Sequence, residues 1–597
     1  MAFQSFDPPS ADRGAVRARI ARLRETFAAL GVDGVVVPHE DAWQSEYLPP
    51  PEERLAFVTG FTGSAGRAII LADVALFSTD GRYTLQAERQ VPADVFAVAS
   101  DEKTAKAWME THLAGVRLGV DPRLHSRADL KRLEGRAKDL VLVRLDRNPV
   151  DAVWEDRPAP PRGLVRAHPA RLAGRTAAEK IEAVREAMTG DALIVPSSDG
   201  VSWLLNWRGA DVAHTPLVLS RAFVPREGPV TVFVDPQKVP NDLAAELAGV
   251  AEIAHEDGFL ARLEALSRGR EVQADPATTP DAALAAVESA GTLKEAPDPV
   301  TRLKARKSAA EIAGMRAAHH RDGVAMARFL AWFDANAAGA TEIDLVETLE
   351  AFRREAGAVD VSFDTIAGSG PNGAIVHYRV DRSTNRTVEP GDPVLIDSGG
   401  QYEDGTTDIT RTLCAGTPST AFRVAFTRVL KGHIAVATQR FPEDTPGVQL
   451  DALARMALWK AGLDYAHGTG HGVGAALAVH EGPVSISRRG REMLEPGMIL
   501  SNEPGYYRPG EWGIRIENLV MVREPVVPPG GERAMMDFET LTLAPIDTRL
   551  VVPHLMTAAE IGWLDAYHAR VRGALSADLS AADRAWLAAR TRPIAGD

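Results

Sequence analysis

Five residues in the second half of the chain constrain its fold more than any others: Asp397 in VLIDSGG, Asp408 in GTTDITRT, His471 in HGTGHGVG, Glu503 in SNEPGYY and Glu517 in GIRIEN. VLIDSGG is an apolar run ending in Asp397 and a Gly pair, QYEDG supplies turn chemistry, and TTDITRT is rich in β-branched residues. The pattern predicts two antiparallel strands. Asp397 and Asp408 are too far apart for one helical face, but from opposite arms of a hairpin both can face one pocket. MILSNEPGYY and GIRIENLVMV follow the same logic: Glu503 comes after one apolar run, and Glu517 lies in another where Ile514, Ile516 and Asn518 point away from it and Arg515 shares its face. One such acid on a strand reads as a solvated face. Five polar residues beside glycine-rich and β-branched runs read as one site.

The charge count suits two metal ions. Four carboxylates contribute four negative charges, two divalent cations contribute four positive, and one neutral imidazole completes the set. Oxygen-rich ligation with one nitrogen and no thiolate favours a harder ion such as manganese, and zinc and cobalt tolerate the same donors. HGTGHGVG does not read as a helical zinc pair, because it is half glycine and lacks the Glu of H-E-x-x-H. It also lacks the G-x-G-x-x-G spacing of a nucleotide loop.

The five segments resemble the motifs of the pita-bread metallopeptidases, and most closely those of aminopeptidase P, the Xaa-Pro aminopeptidases, over nearly the whole chain. The resemblance implies an α/β (α+β) fold: two related N-terminal α/β domains, residues 1–158 and 159–301, then a pita-bread catalytic domain, 302–545, and a C-terminal extension, 546–597. It implies that Asp397, Asp408, His471, Glu503 and Glu517 bind two divalent ions, with Asp408 and Glu517 bridging them. His377 in IVHYR, His467 in HGTGH and His480 in VHEGP match the family's substrate-side histidines.

In the expected reaction a metal-bridging hydroxide attacks the peptide bond. Glu503 takes or relays the proton or acts only as a ligand, while His377 and His480 steady the scissile carbonyl and its oxyanion and His467 borders the substrate pocket. Arg515 is expected to pair with a metal-binding carboxylate. The expected substrates are peptides that begin Xaa-Pro, and the resemblance suggests a homodimer. Two other readings remain: an Xaa-Pro dipeptidase (prolidase), and a non-catalytic pita-bread module that binds peptide or protein.

The rest of the sequence fits a multidomain enzyme. At 597 residues the length corresponds to about four domains, and a 45% hydrophobic content fills large cores. A net charge of -14 with no strongly basic stretch argues against nucleic acid. The single cysteine, Cys414, forms no internal disulfide, and MAFQSFDPPSADR lacks the basic start and apolar core of a signal peptide, so a cytoplasmic location is expected. No apolar run reaches the roughly 18 residues of a membrane helix.

RPAPPRGLVRAHPAR and KEAPDPVTR read as linkers. ARLRETFAALGVDGVVVP and EKIEAVREAMTGDALIVP each predict an amphipathic helix leading into a buried strand, which suggests a duplicated domain. Thr176-Ala-Ala-Glu179, Ser308-Ala-Ala-Glu311 and Thr557-Ala-Ala-Glu560 match capping boxes that open new blocks. His319 and His320 fall on a predicted helix as a packing or solvated pair.

Overall fold

The computed structural model describes residues 3–7 and 13–594, so part of the amino-terminal segment read for a targeting signal lies outside the described residues. The chain forms two compact units. One comprises Pro9–Ala170 and Arg175–Leu303; the other comprises Lys304–Asp597 with Met1–Pro8 and Arg171–Gly174.

The first unit contains the same mixed sheet twice. One sheet runs in the order Ala97–Ala99, Ala75–Ser78, Arg67–Leu71, Gly34–Pro38, Arg117–Val120, Val141–Arg144. The other runs Ala251–Ala254, Val230–Phe233, Arg221–Pro225, Ala192–Val195, Glu271–Ala274, Thr292–Glu295. In both, the first strand in sequence is central, pairing antiparallel on one side and parallel on the other. The helix-to-strand repeat read from sequence is the start of each domain. Helix Arg13–Glu25 buries Val16, Ile20 and Leu23, and helix Ala177–Ala187 buries Ile181 and Val184. Each leads to a central strand buried along its whole length, GVVVP and ALIV. Burial from both faces explains why neither strand alternates.

The second unit sets antiparallel sheets among long helices. Strands Ile366–Ser369, Pro393–Ser398 and Ile409–Cys414 form one sheet; Glu481–Ile486, Gly470–Gly472, Ile499–Asn502, Asn518–Val522 and Phe538–Thr540 form another. Helix Ala309–Asn336 opens on the Ser308 capping box, and the boxes at Thr176 and Thr557 also form as the sequence predicts. His319 and His320 lie on this helix: His319 is buried with Nδ1 on the Met315 carbonyl, and His320 meets Asp578. The C-terminal helices Ala558–Leu575 and Ala581–Arg590 do not hang free. Leu564, Tyr567, Val571, Leu575 and Leu587 share one core with Phe422, Phe426, Trp512, Ile514 and Ile516. Full burial of each aliphatic or aromatic side chain stabilises by about 1.5–3 kcal/mol. That core also backs the strand that leads to Arg515 and Glu517. Among the described residues no helix is long and apolar enough to cross a membrane.

Candidate metal centre

The expected hairpin exists, with an addition. Pro393–Ser398 and Ile409–Cys414 pair antiparallel with Asp397 opposite Thr410, so Asp397 and Asp408 approach from opposite arms. Between them Gly400–Tyr402 and Gly405–Thr406 form a second small hairpin in another sheet. The chain changes sheets at Gly399, where a Cβ would lie 2.0 Å from the Thr407 carbonyl oxygen, so only glycine fits. The Gly-rich run around His471 has a similar cause. Gly470 lies so close to the strand Ile499–Asn502 that a Cβ would sit 1.9 Å from the Ser501 carbonyl oxygen. HGTGHGVG therefore contributes a short strand, Gly470–Gly472, and neither a helix nor a nucleotide loop.

Glu503 immediately follows Ile499–Asn502, and its N–H donates to the Thr469 carbonyl at 2.7 Å. Glu517 occupies the break between Trp512–Arg515 and Asn518–Val522; its N–H donates to the Thr410 carbonyl at 3.1 Å, and its Oε2 accepts from Thr410 Oγ1 at 2.8 Å. The strand alternation read from sequence pauses there, which turns Glu517 toward the aspartates.

These elements bring the metal-ligand candidates together. Ligand atoms of Asp408, His471 and Glu517 lie within 4.8 Å of one another. His471 Nε2 is 3.4 Å from Asp408 Oδ2 and 3.7 Å from Glu503 Oε1. The Gly472 carbonyl, which can only accept, lies 2.9 Å from His471 Nδ1. Nδ1 therefore carries a proton, and Nε2 is the ring atom turned to the cluster, able to present its lone pair to a cation once its own proton is lost. Asp397 joins through Arg515, whose Nη2 donates to Asp397 Oδ2 at 2.5 Å and to the Val376 carbonyl at 3.2 Å.

The electrostatics ask for positive charge. Burial, followed by the charges of Asp408, Asp397 and Glu503, holds the Glu517 carboxyl well above its usual range. Burial also raises Glu503 and Asp397; His471 and Arg515 oppose it at Glu503, and Arg515 opposes it at Asp397. His471 is pulled down by burial but pushed further up, to about 9, by its hydrogen bond to Asp408 and the charges of Glu503 and Asp408. Asp397 Oδ1 and Asp408 Oδ1 are buried without a hydrogen-bond partner. Clustered anionic oxygens, two of them without donors, and one oriented imidazole are donors that fit hard divalent cations.

Of the three other histidines, His480 meets a member of the cluster, and His467 is connected to it through Tyr507 and Arg515. The His480 and His471 rings meet edge to face with centroids 4.2 Å apart. His467 Nδ1 donates to the Gly468 carbonyl at 2.7 Å, and its Nε2 lies 2.9 Å from Tyr507 Oη, which accepts from Arg515 Nη1 at 2.5 Å. Tyr507 thus donates to His467. His377 lies in the turn next to Val376, whose carbonyl binds Arg515.

Several residues of the site were missed from sequence. Tyr507 links Arg515 to His467, and its place in SNEPGYY was a usable signal. Fully buried Arg455 holds the HGTGH loop through the carbonyls of Tyr465 and His467, both at 2.7 Å. Buried Glu342 accepts from Ser369 N–H at 2.6 Å, Tyr378 Oη at 2.9 Å and Arg386 N–H at 3.0 Å, fixing the segment around His377. Neither residue stands in a motif that marks it.

Fold and cluster together define a metal-dependent hydrolase with a duplicated N-terminal domain. Residues 313–524 match metallopeptidase family M24, residues 534–594 match the C-terminal region of that peptidase family, and residues 19–152 and 156–311 match creatinase/prolidase N-terminal domains. Aminopeptidase P2 of Arabidopsis thaliana is 39% identical, the match covering 97% of this chain and 88% of the relative. A probable Xaa-Pro aminopeptidase P of Aspergillus niger is also 39% identical over 96% of this chain and 98% of the relative. Among solved structures, X-prolyl aminopeptidase of Caenorhabditis elegans, described as a cytosolic enzyme with a di-nuclear active site, superposes with a TM-score of 0.91 at 34% identity, covering 97% of this chain and 100% of that one. The chain belongs to metallopeptidase family M24, in its aminopeptidase P branch, with the pita-bread domain following two creatinase-type domains.

Proposed function

We propose that this Xaa-Pro aminopeptidase works with two divalent cations, preferentially manganese with zinc or cobalt as alternatives, held by Asp397, Asp408, His471, Glu503 and Glu517. Asp408 and Glu517 are assigned the bridging positions. The observation that carries this reading is the convergence of three carboxylates, Asp408, Glu503 and Glu517, on the Nε2 side of the His471 imidazole, with Asp397 held to Arg515 beside them. When bound, such a pair of cations polarises the scissile carbonyl and generates the attacking hydroxide at neutral pH.

The chain's own residues divide the remaining work. Glu503, held with Oε1 on Ser501 Oγ at 3.2 Å and raised in pKa by burial, takes the proton of the attacking water and passes it toward the leaving nitrogen. His480, beside His471, and His377 steady the carbonyl oxygen as charge develops on it. His467, oriented by Tyr507, borders the substrate. Arg515 keeps Asp397 ionised and in place.

A penultimate proline supplies a tertiary amide with no N–H and a fixed φ, so selectivity comes from fit around its ring. Domain limits of 1–158, 159–301, 302–545 and 546–597, a homodimer and a cytoplasmic location complete the reading, supported by the likeness to aminopeptidase P.

The test uses a peptide beginning Arg-Pro-Pro, its counterpart with alanine second, and an Xaa-Pro dipeptide, each digested with added manganese and followed by mass spectrometry. Loss of only the first residue from the proline peptide, with much slower cutting of the alanine peptide, is expected. Comparable rates for proline and alanine would make this a general aminopeptidase. Cleavage confined to the dipeptide would make it a prolidase, and no cleavage with no bound metal would make it a binding module. Light scattering of the purified chain tests the homodimer.

A further inference from the structure

The C-terminal extension supplies no member of the cluster, yet one of its side chains reaches the backbone that holds it. The link is Arg411, in the strand Ile409–Cys414 and 1% exposed. Its Nη1 donates to the carbonyls of Thr410 at 2.9 Å and Glu517 at 2.6 Å. Its Nη2 donates to Asn518 Oδ1 at 2.8 Å, the Ala544 carbonyl at 2.7 Å and Tyr567 Oη at 3.1 Å, and its Nε donates to the Pro545 carbonyl at 3.0 Å. Every one of these acceptors is neutral. A buried guanidinium without a carboxylate contact is costly, and the negative cluster around Glu517 is the charge that offsets it.

Thr410 and Glu517 are already joined twice, by the Glu517 N–H on the Thr410 carbonyl and by Thr410 Oγ1 on Glu517 Oε2. Arg411 clamps both of their carbonyls. Tyr567, on helix Ala558–Leu575, in turn fixes Arg411: its hydroxyl accepts from Nη2 and donates to the Ala544 carbonyl at 2.8 Å. Its ring stacks on Trp563 with an interplanar angle of 2°.

We propose that Tyr567 is a positioning residue for the metal centre, acting through Arg411 to set where Glu517 presents its carboxylate. The extension is then part of the site. This rests on the two-metal reading above, and the experiment separates the two. Manganese affinity and stoichiometry are measured by chelator competition on the full-length chain, alongside melting temperature, kcat and KM, for wild type, Tyr567→Phe, Arg411→Lys and Trp586→Phe. Trp586 anchors the same extension elsewhere, donating to Asp334 Oδ2 at 2.7 Å. Wild type is expected to bind two ions; fewer would sink the two-metal reading itself.

Given that, Tyr567→Phe should bind the weaker ion about 10-fold less tightly, the usual scale for a group that supports a ligand. Its kcat should recover in excess manganese with KM unchanged. In the metal-free protein, the Glu517 amide should exchange faster in this variant. Arg411→Lys keeps the charge but not the span and should behave alike, whereas Trp586→Phe should lower the melting temperature without touching manganese affinity. Wild-type affinity in Tyr567→Phe overturns the proposal, and so does an equal loss in Trp586→Phe, which would make the extension a general stabiliser. If Tyr567→Phe fails to fold, Arg411→Lys decides the matter by the same affinity measurement.

Discussion

Replacing Arg515 with glutamine removes the guanidinium that pairs with the Asp397 carboxylate of the cluster. In the wild type, Arg515 is 1% exposed and donates to Asp397 Oδ2, Tyr507 Oη, Thr410 Oγ1 and the Val376 carbonyl. A glutamine amide has two N–H donors, is shorter, and carries no charge. Breaking a buried ion pair from one side costs about 3–5 kcal/mol, most of it the penalty of leaving the other charge behind. That penalty falls on Asp397, already raised in pKa by burial and by Asp408 against the opposing effect of Arg515.

Arg515 holds Asp397 where a bound cation needs it, so the variant gains less from metal than the wild type does, and the loss of stability should be larger in saturating metal than without it. Manganese affinity should fall about 10- to 100-fold. The pH dependence follows in sign. Without Arg515 the folded-state pKa of Asp397 rises further above its unfolded value. Its contribution to stability is then intact below the unfolded carboxylate range and lost as pH rises through the folded value. The gap between wild type and variant should therefore narrow as metal-free protein is taken from neutral pH toward pH ~4. Thermal unfolding in chelator and in saturating manganese, at several pH values, reads all of this. A stability loss that is equal with and without metal, or a gap that widens on acidification, would refute the reasoning.

Asp408→Asn should abolish turnover and weaken both metal positions, because a bridging carboxylate loses charge toward two ions at once; metal analysis showing both ions retained with full activity would remove the bridging assignment. His377→Ala should keep its metal and lose kcat by about 100-fold, and loss of metal would place the residue among the ligands. Buried His433 and His568 are held neutral, down to about 3 and about 4, first by burial and then by the charge of Arg411. Their folded values lie below the unfolded value of about 6.5, so the stability they contribute is present above that pH and lost as pH falls toward their folded values. Urea unfolding at pH 7 and pH 5 should show a steeper decline for wild type than for a His568→Gln variant.

What could be read in advance was whatever leaves a local mark. The five ligand candidates stand in motifs, the capping boxes at Thr176, Ser308 and Thr557 depend on residues three apart, and the duplicated helix and strand differ little in pattern. The second hairpin between Asp397 and Asp408 escaped notice, because QYEDGTT reads equally well as a simple turn. Its reason lies in packing: Gly399 must pass the Thr407 carbonyl and Ser362 Oγ, both 2.0 Å from where a Cβ would be. The histidine contacts were likewise invisible. Nothing in VHEGP states that His480 will lie edge to face with His471.

The hardest residues to read are the arginines. Arg353, Arg411, Arg455 and Arg515 are each at most 1% exposed, although a basic residue in LARMALW or TTDITRT looks like one on a solvated face. Each instead spans several acceptors that no single carboxylate or lysine could join: Arg353 pairs with Asp322, Arg455 with Asp451 and the His467 loop, Arg515 with Asp397, and Arg411 with neutral oxygens only, backbone carbonyls together with Asn518 and Tyr567. A guanidinium suits this role because its donors form a planar fork and it stays charged when desolvated. Arg411 and Arg515 lie on either side of the Thr410–Glu517 link, one bonded to the Glu517 carbonyl and the other to Thr410 Oγ1. Both charges are therefore set beside acids whose ionised form burial opposes. Their burial becomes intelligible only once the carboxylates are seen to converge, which is why Arg515, two residues from Glu517, could be anticipated from sequence as the partner of a ligand carboxylate while Arg353, Arg411 and Arg455 could not.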